Sequence, residues 1–236
     1  MTNAPVITVD GPSGTGKGTL CSRISRWLGW RLLDSGALYR ILALLAQREN
    51  IPVTEVAKVA GLVAARRPEV QFISAEGDEP VTVILDGTDI GALIRREDCG
   101  SAASSLAAHG TVREALLEWQ RSFQRPPGLV ADGRDMGTVV FPDAELKVFL
   151  TANPRVRAKR RYKQLKEKGI YVSFDDLVES IAERDRRDTQ RILSPLKPAD
   201  GAVEIDTSGS GRDDVFGQVA EIIRKRFDLS AVHNIM

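Results

Sequence analysis

The sequence is poor in the residues that build disulfide frameworks and histidine-rich metal sites. Its 236 residues include only two cysteines, Cys21 and Cys99, and two histidines, His109 and His233. Two cysteines provide no disulfide framework, and no secretory leader pattern opens the chain, so we expect a reducing, cytoplasmic location. The scarcity of histidine argues against a metal site built on imidazole ligands.

An excess of one charge sign and a long apolar run are missing as well. The 33 Lys and Arg residues balance 32 Asp and Glu residues, for a net charge of +1. This balance gives no argument for a nucleic acid or an anionic membrane as partner. No apolar run is long enough to span a bilayer. With 42% hydrophobic residues, the chain predicts one soluble domain over residues 1–236 with a substantial core.

Short apolar runs alternate with helical patterns along most of the chain. The runs predicted to form buried parallel strands are Val6–Val9, Arg31–Leu33, Leu129–Ala131, Leu146–Leu150 and Val203–Ile205. This alternation is typical of a doubly wound α/β domain, whose ligand crevice lies beyond the carboxyl ends of the strands. Aspartates follow several of these runs, namely Asp10, Asp34, Asp132 and Asp206.

One segment interrupts the α/β rhythm. Val70–Ser74 and Val81–Asp86 read as strands, and Asp86-Gly87 predicts a tight turn before Thr88–Ile90. We therefore expect a small antiparallel insert, which either decorates the domain or faces the substrate.

The stretch DGPSGTGKGT follows the first predicted strand and precedes a helical pattern. Gly11 to Lys17 fit G-x-x-x-x-G-K, the phosphate-binding Walker A pattern, in which backbone N–H groups converge on an anion. Lys17 is expected to be accessible to a ligand rather than packed. The hydroxyl comes one step late, at Thr19 after Gly18, which weakens the case for its direct contact with Mg²⁺. The alternative is a glycine-rich turn with a solvated lysine.

In a later predicted helix, the residues of one face change from apolar to charged along the chain. After a capping pattern at Ser173, the inner face of this predicted helix reads Leu177, Ile181, Arg184, Asp188 and Arg191. Buried charges need partners, so these side chains should meet one another or an anionic ligand. The alternative is a frayed helix end whose arginines and aspartate pair in water.

Further charged side chains follow strand ends. Arg40 comes after Asp34-Ser35-Gly36, and Arg134 comes after Asp132-Gly133. Several guanidinium groups at one crevice suit phosphoryl transfer, which depends on positioning and on charge stabilisation. Asp132 ends its strand where a carboxylate would organise Mg²⁺ and its waters, although a helix-capping or turn aspartate is the alternative.

Four stretches together resemble the bacterial cytidylate kinase family. They are GPSGTGKGT, LLDSGALYR, ADGRDMGTVVFPDA and ERDRRDTQR, in that order, ending at Arg191. The resemblance implies a P-loop nucleoside-monophosphate kinase fold, with a parallel five-stranded core, a monophosphate-binding insert (66–100) and an arginine-rich lid (154–192). It also implies a cytoplasmic, monomeric enzyme of pyrimidine metabolism that phosphorylates CMP and dCMP with ATP and Mg²⁺.

The resemblance also implies roles for individual residues. The residues that would bind the ATP phosphates are Gly11, Pro12, Ser13, Gly14, Thr15, Gly16, Lys17, Gly18 and Thr19. The residues that would surround the monophosphate are Ser35, Tyr39, Arg40, Arg134 and Arg191. Arg184 and Asp188 would hold the sugar. Ser104, Arg113 and Asp135 would read the base. Arg157, Arg160 and Arg161 resemble catalytic lid arginines, and Thr19 and Asp132 would hold Mg²⁺, either directly or through water.

Two other functions fit part of the pattern. One is a kinase for another small acceptor, such as UMP, AMP or a non-nucleotide alcohol. The other is a P-loop switch or motor driven by hydrolysis, which needs a positioned water. The many arginines suit a second anion better than a water molecule.

Overall fold

The computed structural model describes residues 4–66, 68–74, 80–167 and 169–227. The chain divides into two compact units. Unit 1 comprises Met1–Val6 and Cys21–Gly133, and unit 2 comprises Ile7–Leu20 and Arg134–Met236. Among the described residues, no helix is long and apolar enough to cross a membrane. His233 and Lys168, and residues 67 and 75–79 of the predicted insert, lie outside the described residues.

The described residues form eight strands and nine α-helices. The strands are β1 (Val6–Asp10), β2 (Arg31–Asp34), β3 (Val70–Ile73), β4 (Thr82–Leu85), β5 (Thr88–Asp89), β6 (Leu129–Gly133), β7 (Leu146–Thr151) and β8 (Val203–Asp206). The helices are α1 (Lys17–Leu28), α2 (Ser35–Arg48), α3 (Val56–Arg66), α4 (Gly91–Ile94), α5 (Glu97–Leu106), α6 (Gly110–Arg121), α7 (Pro154–Glu167), α8 (Phe174–Thr189) and α9 (Arg212–Arg226). A five-residue π-helix covers Met136–Val140.

The five predicted parallel strands are confirmed. They form one sheet in the order β2-β6-β1-β7-β8, and each is one or two residues longer than its apolar run. The pairs β1–β7, β2–β6 and β7–β8 are parallel. All five residues of β1 are buried, as expected for a strand covered on both faces. The parallel sheet, the helices and the separate antiparallel sheet together form the α/β architecture of a P-loop nucleoside-monophosphate kinase.

Unit 1 contains the predicted small antiparallel sheet. β3 pairs with β4, and β4 pairs with β5. Asp86 and Gly87 both have positive φ, at 48° and 79°, which is the turn geometry that matches strand twist in a two-residue hairpin. In the same unit, Asp34 caps α2, because its side chain accepts a hydrogen bond from the Ala37 N–H at 2.9 Å.

Unit 2 contains the two helices that carry most of the clustered arginines. α7 starts at Pro154, and the Asn153 side chain accepts a hydrogen bond from the Arg155 N–H. The Ser173 side chain caps α8 by accepting from the Asp176 N–H. The prediction that the charged stripe stays on one helix as far as Arg191 is wrong, because α8 ends at Thr189. Arg191 therefore lies in the segment after the helix.

Candidate active site

The glycine-rich loop joins β1 to α1 in unit 2, as the motif requires. Gly11, Gly14 and Gly16 have φ values of 143°, 81° and 96°, which other residues rarely adopt. A Cβ at Gly11 would lie 2.1 Å from the backbone oxygen of Leu150 in β7. Glycine is therefore required at this position both for the backbone angle and for the close approach to β7.

Lys17 begins α1 at the end of this loop. The prediction that it is accessible rather than packed is wrong for this structure, because only 5% of Lys17 is exposed. Its Nζ donates to the backbone oxygen of Pro12 at 2.8 Å, and the Thr15 hydroxyl donates to the same oxygen at 3.1 Å. The loop thus closes around one of its own carbonyl groups, which neither composition nor spacing reveals.

Asp10, the last residue of β1, has a role that the sequence did not indicate. Its two carboxylate oxygens accept hydrogen bonds from the backbone N–H groups of Met136 (2.9 Å) and Gly137 (2.8 Å). Burial raises the pKa of Asp10 to about 6, against the lowering effect of these two bonds. The nearby Asp135 charge also raises this pKa, and Lys17 lowers it. The sequence showed Asp10 only as a polar residue at a strand end.

Asp188 in α8 is surrounded by three arginines of unit 2. Arg134 Nε donates to its carboxylate at 3.1 Å. The charges of Arg134, Arg191 and Arg184 lower the pKa of Asp188, although burial acts in the opposite direction and is the largest single influence. The side chains of Asp188 and Arg134 are only 11% and 21% exposed. The alternative of a pair in free solvent is therefore wrong, and three cations share one carboxylate.

The predicted lid arginines make contacts within unit 2. Arg157 is 2% exposed and makes a two-point ion pair with Asp185 of α8. The same guanidinium group donates to the backbone oxygens of Ala152 at 2.9 Å and Ser13 at 3.0 Å. Ser13 belongs to the phosphate loop, so Arg157 links this loop to both α7 and α8.

The two neighbouring lid arginines are more exposed than Arg157. Arg160 donates to the hydroxyl of Thr207 at 3.1 Å and also to its backbone oxygen. The Thr207 hydroxyl in turn donates to the backbone oxygen of Thr15. Arg161 is partly exposed on α7. Arg160 thus contacts the phosphate loop both through this threonine and directly, by a hydrogen bond to the backbone oxygen of Gly14 at 3.5 Å.

Unit 1 holds three of the five predicted monophosphate residues, and all three lie on α2, namely Ser35, Tyr39 and Arg40. The Ser35 hydroxyl donates to Gln120 Oε1 at 2.6 Å, and both residues are buried. Gln120 Nε2 donates to the backbone oxygen of Leu116, which orients the amide group. Arg40 donates to the backbone oxygen of Ile94 at 2.7 Å. Sequence reasoning missed Gln120, because a lone glutamine in a helix carries no motif.

Two of the predicted base-reading residues also lie in unit 1. Arg113 is on α6, 5.9 Å from the centre of the Tyr39 ring, and it donates to the backbone oxygen of Ala107. Ser104 is partly exposed on α5. The third, Asp135, lies in unit 2 directly before the π-helix and is 4% exposed.

The oxygen ligands predicted for Mg²⁺ are the Thr19 hydroxyl and the Asp132 carboxylate. Thr19 lies in the first turn of α1, and Asp132 lies near the end of β6. No group of three or more His, Cys, Asp or Glu side chains among the described residues could hold a metal ion. Mg²⁺ commonly binds through one or two carboxylates, waters and substrate phosphates, and each of these two side chains offers an oxygen of the kind that Mg²⁺ prefers.

Known proteins match the chain over most of its length. The profile of the family described as cytidylate kinase matches residues 7–225. A cytidylate kinase from Shewanella frigidimarina is 52% identical over 227 residues, covering 96% of this chain and 98% of the relative. One from Nitrosococcus oceani is 54% identical, with coverages of 91% and 94%. One from Pseudomonas entomophila is 55% identical, with coverages of 87% and 89%. The family profile spans both the phosphate loop and the arginine cluster, and the chain belongs to the cytidylate kinase family.

Proposed function

We propose that this chain carries out the family reaction by direct, in-line transfer of the γ-phosphoryl group of ATP to the phosphate of CMP or dCMP. The products are ADP and CDP or dCDP, within pyrimidine nucleotide metabolism. The observation that carries the proposal is the cluster of Arg134, Arg184 and Arg191 around Asp188. Three cations with one carboxylate leave an excess of positive charge, which suits a phosphate dianion.

The donor half of the reaction is assigned to the glycine-rich loop. Backbone N–H groups of Gly11 to Thr19 and the start of α1 favour a bound anion. We assign Lys17 to the β- and γ-phosphates, where its Nζ would exchange the Pro12 oxygen for a phosphate oxygen. Mg²⁺ held through Thr19 and Asp132 would neutralise charge that develops on the phosphates.

The acceptor half needs binding groups rather than a general base. The second pKa of a phosphate monoester is about 6, so at neutral pH CMP is largely a dianion that can attack without losing a proton first. We assign the monophosphate to Ser35, Tyr39, Arg40, Arg134 and Arg191. We assign the sugar to Arg184 and Asp188.

Base selection is assigned to Ser104, Arg113 and Asp135. Cytosine presents an amino donor at N4 and acceptors at N3 and O2, whereas uracil presents an acceptor at O4 and a donor at N3. A carboxylate facing N4 and a guanidinium group facing the other edge therefore match cytosine only. Each such polar pair contributes ~1–3 kcal/mol of discrimination.

The remaining assignments concern the lid and the enzyme as a whole. We assign residues 154–192 to an arginine-rich lid, in which Arg157, Arg160 and Arg161 would stabilise transferring charge, and residues 66–100 to a monophosphate-binding insert. We also propose a single functional domain that acts as a cytoplasmic monomer, with neither nucleic acid nor membrane as partner.

Purified protein with ATP, Mg²⁺ and one acceptor at a time tests the proposed reaction. We expect ADP formation with CMP and dCMP, and much less with UMP, AMP or no acceptor. ADP release at the same rate without an acceptor would indicate a hydrolytic switch instead. A preference for UMP or AMP would indicate another acceptor.

A substitution at Asp135 tests the assignment of the base. The amide of an asparagine at this position could rotate to donate to O4 of uracil, so Asp135→Asn should lose CMP activity and narrow the CMP-to-UMP ratio of kcat/KM. Asp143→Asn, at an exposed position, is the matched control. A folded Asp135→Asn variant with an unchanged ratio would remove Asp135 from base recognition, since a turn aspartate would lower both activities in parallel.

A further inference from the structure

We infer that Asp10 is a positioning residue that fixes Arg134 and Asp135 for the acceptor nucleotide. The inference rests on the proposed function, because it uses the roles assigned to these two residues. Asp10 is 4% exposed and ends β1, directly before the glycine-rich loop. Its two oxygens bind the N–H groups of Met136 and Gly137, the two residues that follow Asp135.

The geometry of these two bonds explains why the residue must be an aspartate. Each carboxylate oxygen accepts one N–H, at 2.9 and 2.8 Å, so both oxygens are used. An asparagine has one oxygen and one NH₂ group. In the same position its NH₂ would face a backbone N–H, and two donors cannot bond to each other.

These two hydrogen bonds hold the start of the π-helix, next to Asp135, the residue proposed to recognise the base. Asp135 is itself 4% exposed and directly precedes the π-helix, and its backbone oxygen accepts from the Val139 N–H. Displacing the Met136 and Gly137 amides would therefore move the backbone of Asp135 directly. Arg134 comes one residue earlier and has a second anchor in Asp188.

Holding an ionised carboxylate in this buried position opposes folding. Burial raises the pKa of Asp10, and neither its two backbone hydrogen bonds nor the Lys17 charge offsets this effect. A neutral asparagine or alanine removes that cost but leaves one or both of the Met136 and Gly137 N–H groups without an acceptor, so the two effects on stability oppose each other. We therefore expect both substitutions to give folded protein, with the damage confined to substrate recognition.

Steady-state kinetics on the full chain test this role through the variants Asp10→Asn and Asp10→Ala. We expect KM for CMP to rise at least ~10-fold, as for the loss of a charge-assisted hydrogen bond, while KM for ATP changes less than ~3-fold. The CMP-to-UMP ratio of kcat/KM should fall as well. A purely structural role would change KM for CMP and KM for ATP by similar factors, and it would leave the CMP-to-UMP ratio of kcat/KM unchanged.

Thr8→Val is the matched control. Thr8 is buried in the same strand, and its hydroxyl packs near Gly137, where it would lie 2.9 Å from an added Cβ. Its hydroxyl accepts neither of the two N–H groups, so wild-type KM values are expected.

The outcomes separate this inference from the proposed function. If the wild-type protein does not use CMP, the proposed function fails. If it does, and either folded Asp10 variant keeps the wild-type CMP KM and base ratio, the positioning role is overturned. Loss of a cooperative thermal transition in both variants would also overturn it, in favour of a role in folding alone.

Discussion

Replacing Asp188 with asparagine should destabilise the ligand-free protein through charge alone. The side chain keeps its shape and one oxygen for the Arg134 Nε, but Arg134, Arg184 and Arg191 lose their shared counter-charge. Removing one partner of a buried ion pair costs about 3–5 kcal/mol. We take the lower end, about 3 kcal/mol, because Asp188 and Arg134 keep side-chain exposures of 11% and 21%.

The expected change can be read as a shift in melting temperature. For proteins of 150–250 residues, 1 kcal/mol corresponds to about 2–4 °C, so Asp188→Asn should lower Tm by about 6–12 °C at pH 7. Glu183→Gln is the matched control on the same helix. Glu183 lies 4.0 Å from Arg187, and both side chains are at least half exposed, so its Tm should change by less than ~2 °C. A change that small for Asp188→Asn would refute the reasoning.

The pH dependence gives a second check on the same variant. The three arginines lower the pKa of folded Asp188, so the pair stabilises the fold at pH values above the unfolded pKa of about 3.9. That stabilisation is lost as the pH falls through the folded pKa. The Tm difference between wild type and Asp188→Asn should therefore be constant near neutral pH and shrink below about pH 4.

Three further substitutions test other parts of the two units. Lys17→Ala should lower kcat/KM more than ~100-fold in an ADP-release assay, because a charge-assisted contact to developing charge is lost; a folded variant with near wild-type turnover would contradict the loop assignment. Gln120→Leu should raise KM for CMP about 5- to 10-fold with little change for ATP, because the Ser35 hydroxyl loses its acceptor; equal changes in both KM values would contradict this. Asp185→Asn should lower the stability measured by urea unfolding by about 3 kcal/mol, because Arg157 is 2% exposed and loses its counter-charge; an unchanged midpoint would contradict it.

The parallel strands were the most predictable part of the fold. A strand covered on both faces reads as a nearly continuous apolar run, so the runs at Val6 and Leu146 stand out without any alignment. Local signals also located the helix start at Ser173 and the hairpin turn at Asp86-Gly87, because a capping side chain and a positive φ are properties of a few adjacent residues.

The contacts of the site depended on residues far apart in the sequence and were less predictable. Asp10 bonds to amides 126 and 127 positions away, and Ser35 bonds to a side chain 85 positions away. No local pattern encodes such pairs. The error at Arg191 has a different origin: hydrophobic spacing reports a helical face and does not report where the helix stops.

Asp10 and Asp188 lie in the same unit, but their surroundings shift the pKa of the carboxyl group in opposite directions. Burial is the largest influence on the pKa of both carboxylates and raises it in each case. At Asp188 three guanidinium charges outweigh burial, whereas at Asp10 two backbone dipoles and Lys17 do not, and the Asp135 charge adds to the effect.

Since folding raises the pKa of Asp10 above its ordinary value of 3.8 to about 6, its contribution to stability grows as the pH falls through that interval. The Asp188 contribution is retained across the same interval, because its folded pKa lies below the ordinary value. Mild acidification is therefore expected to protonate the carboxylate that anchors Met136 and Gly137 while the arginine cluster keeps its counter-charge.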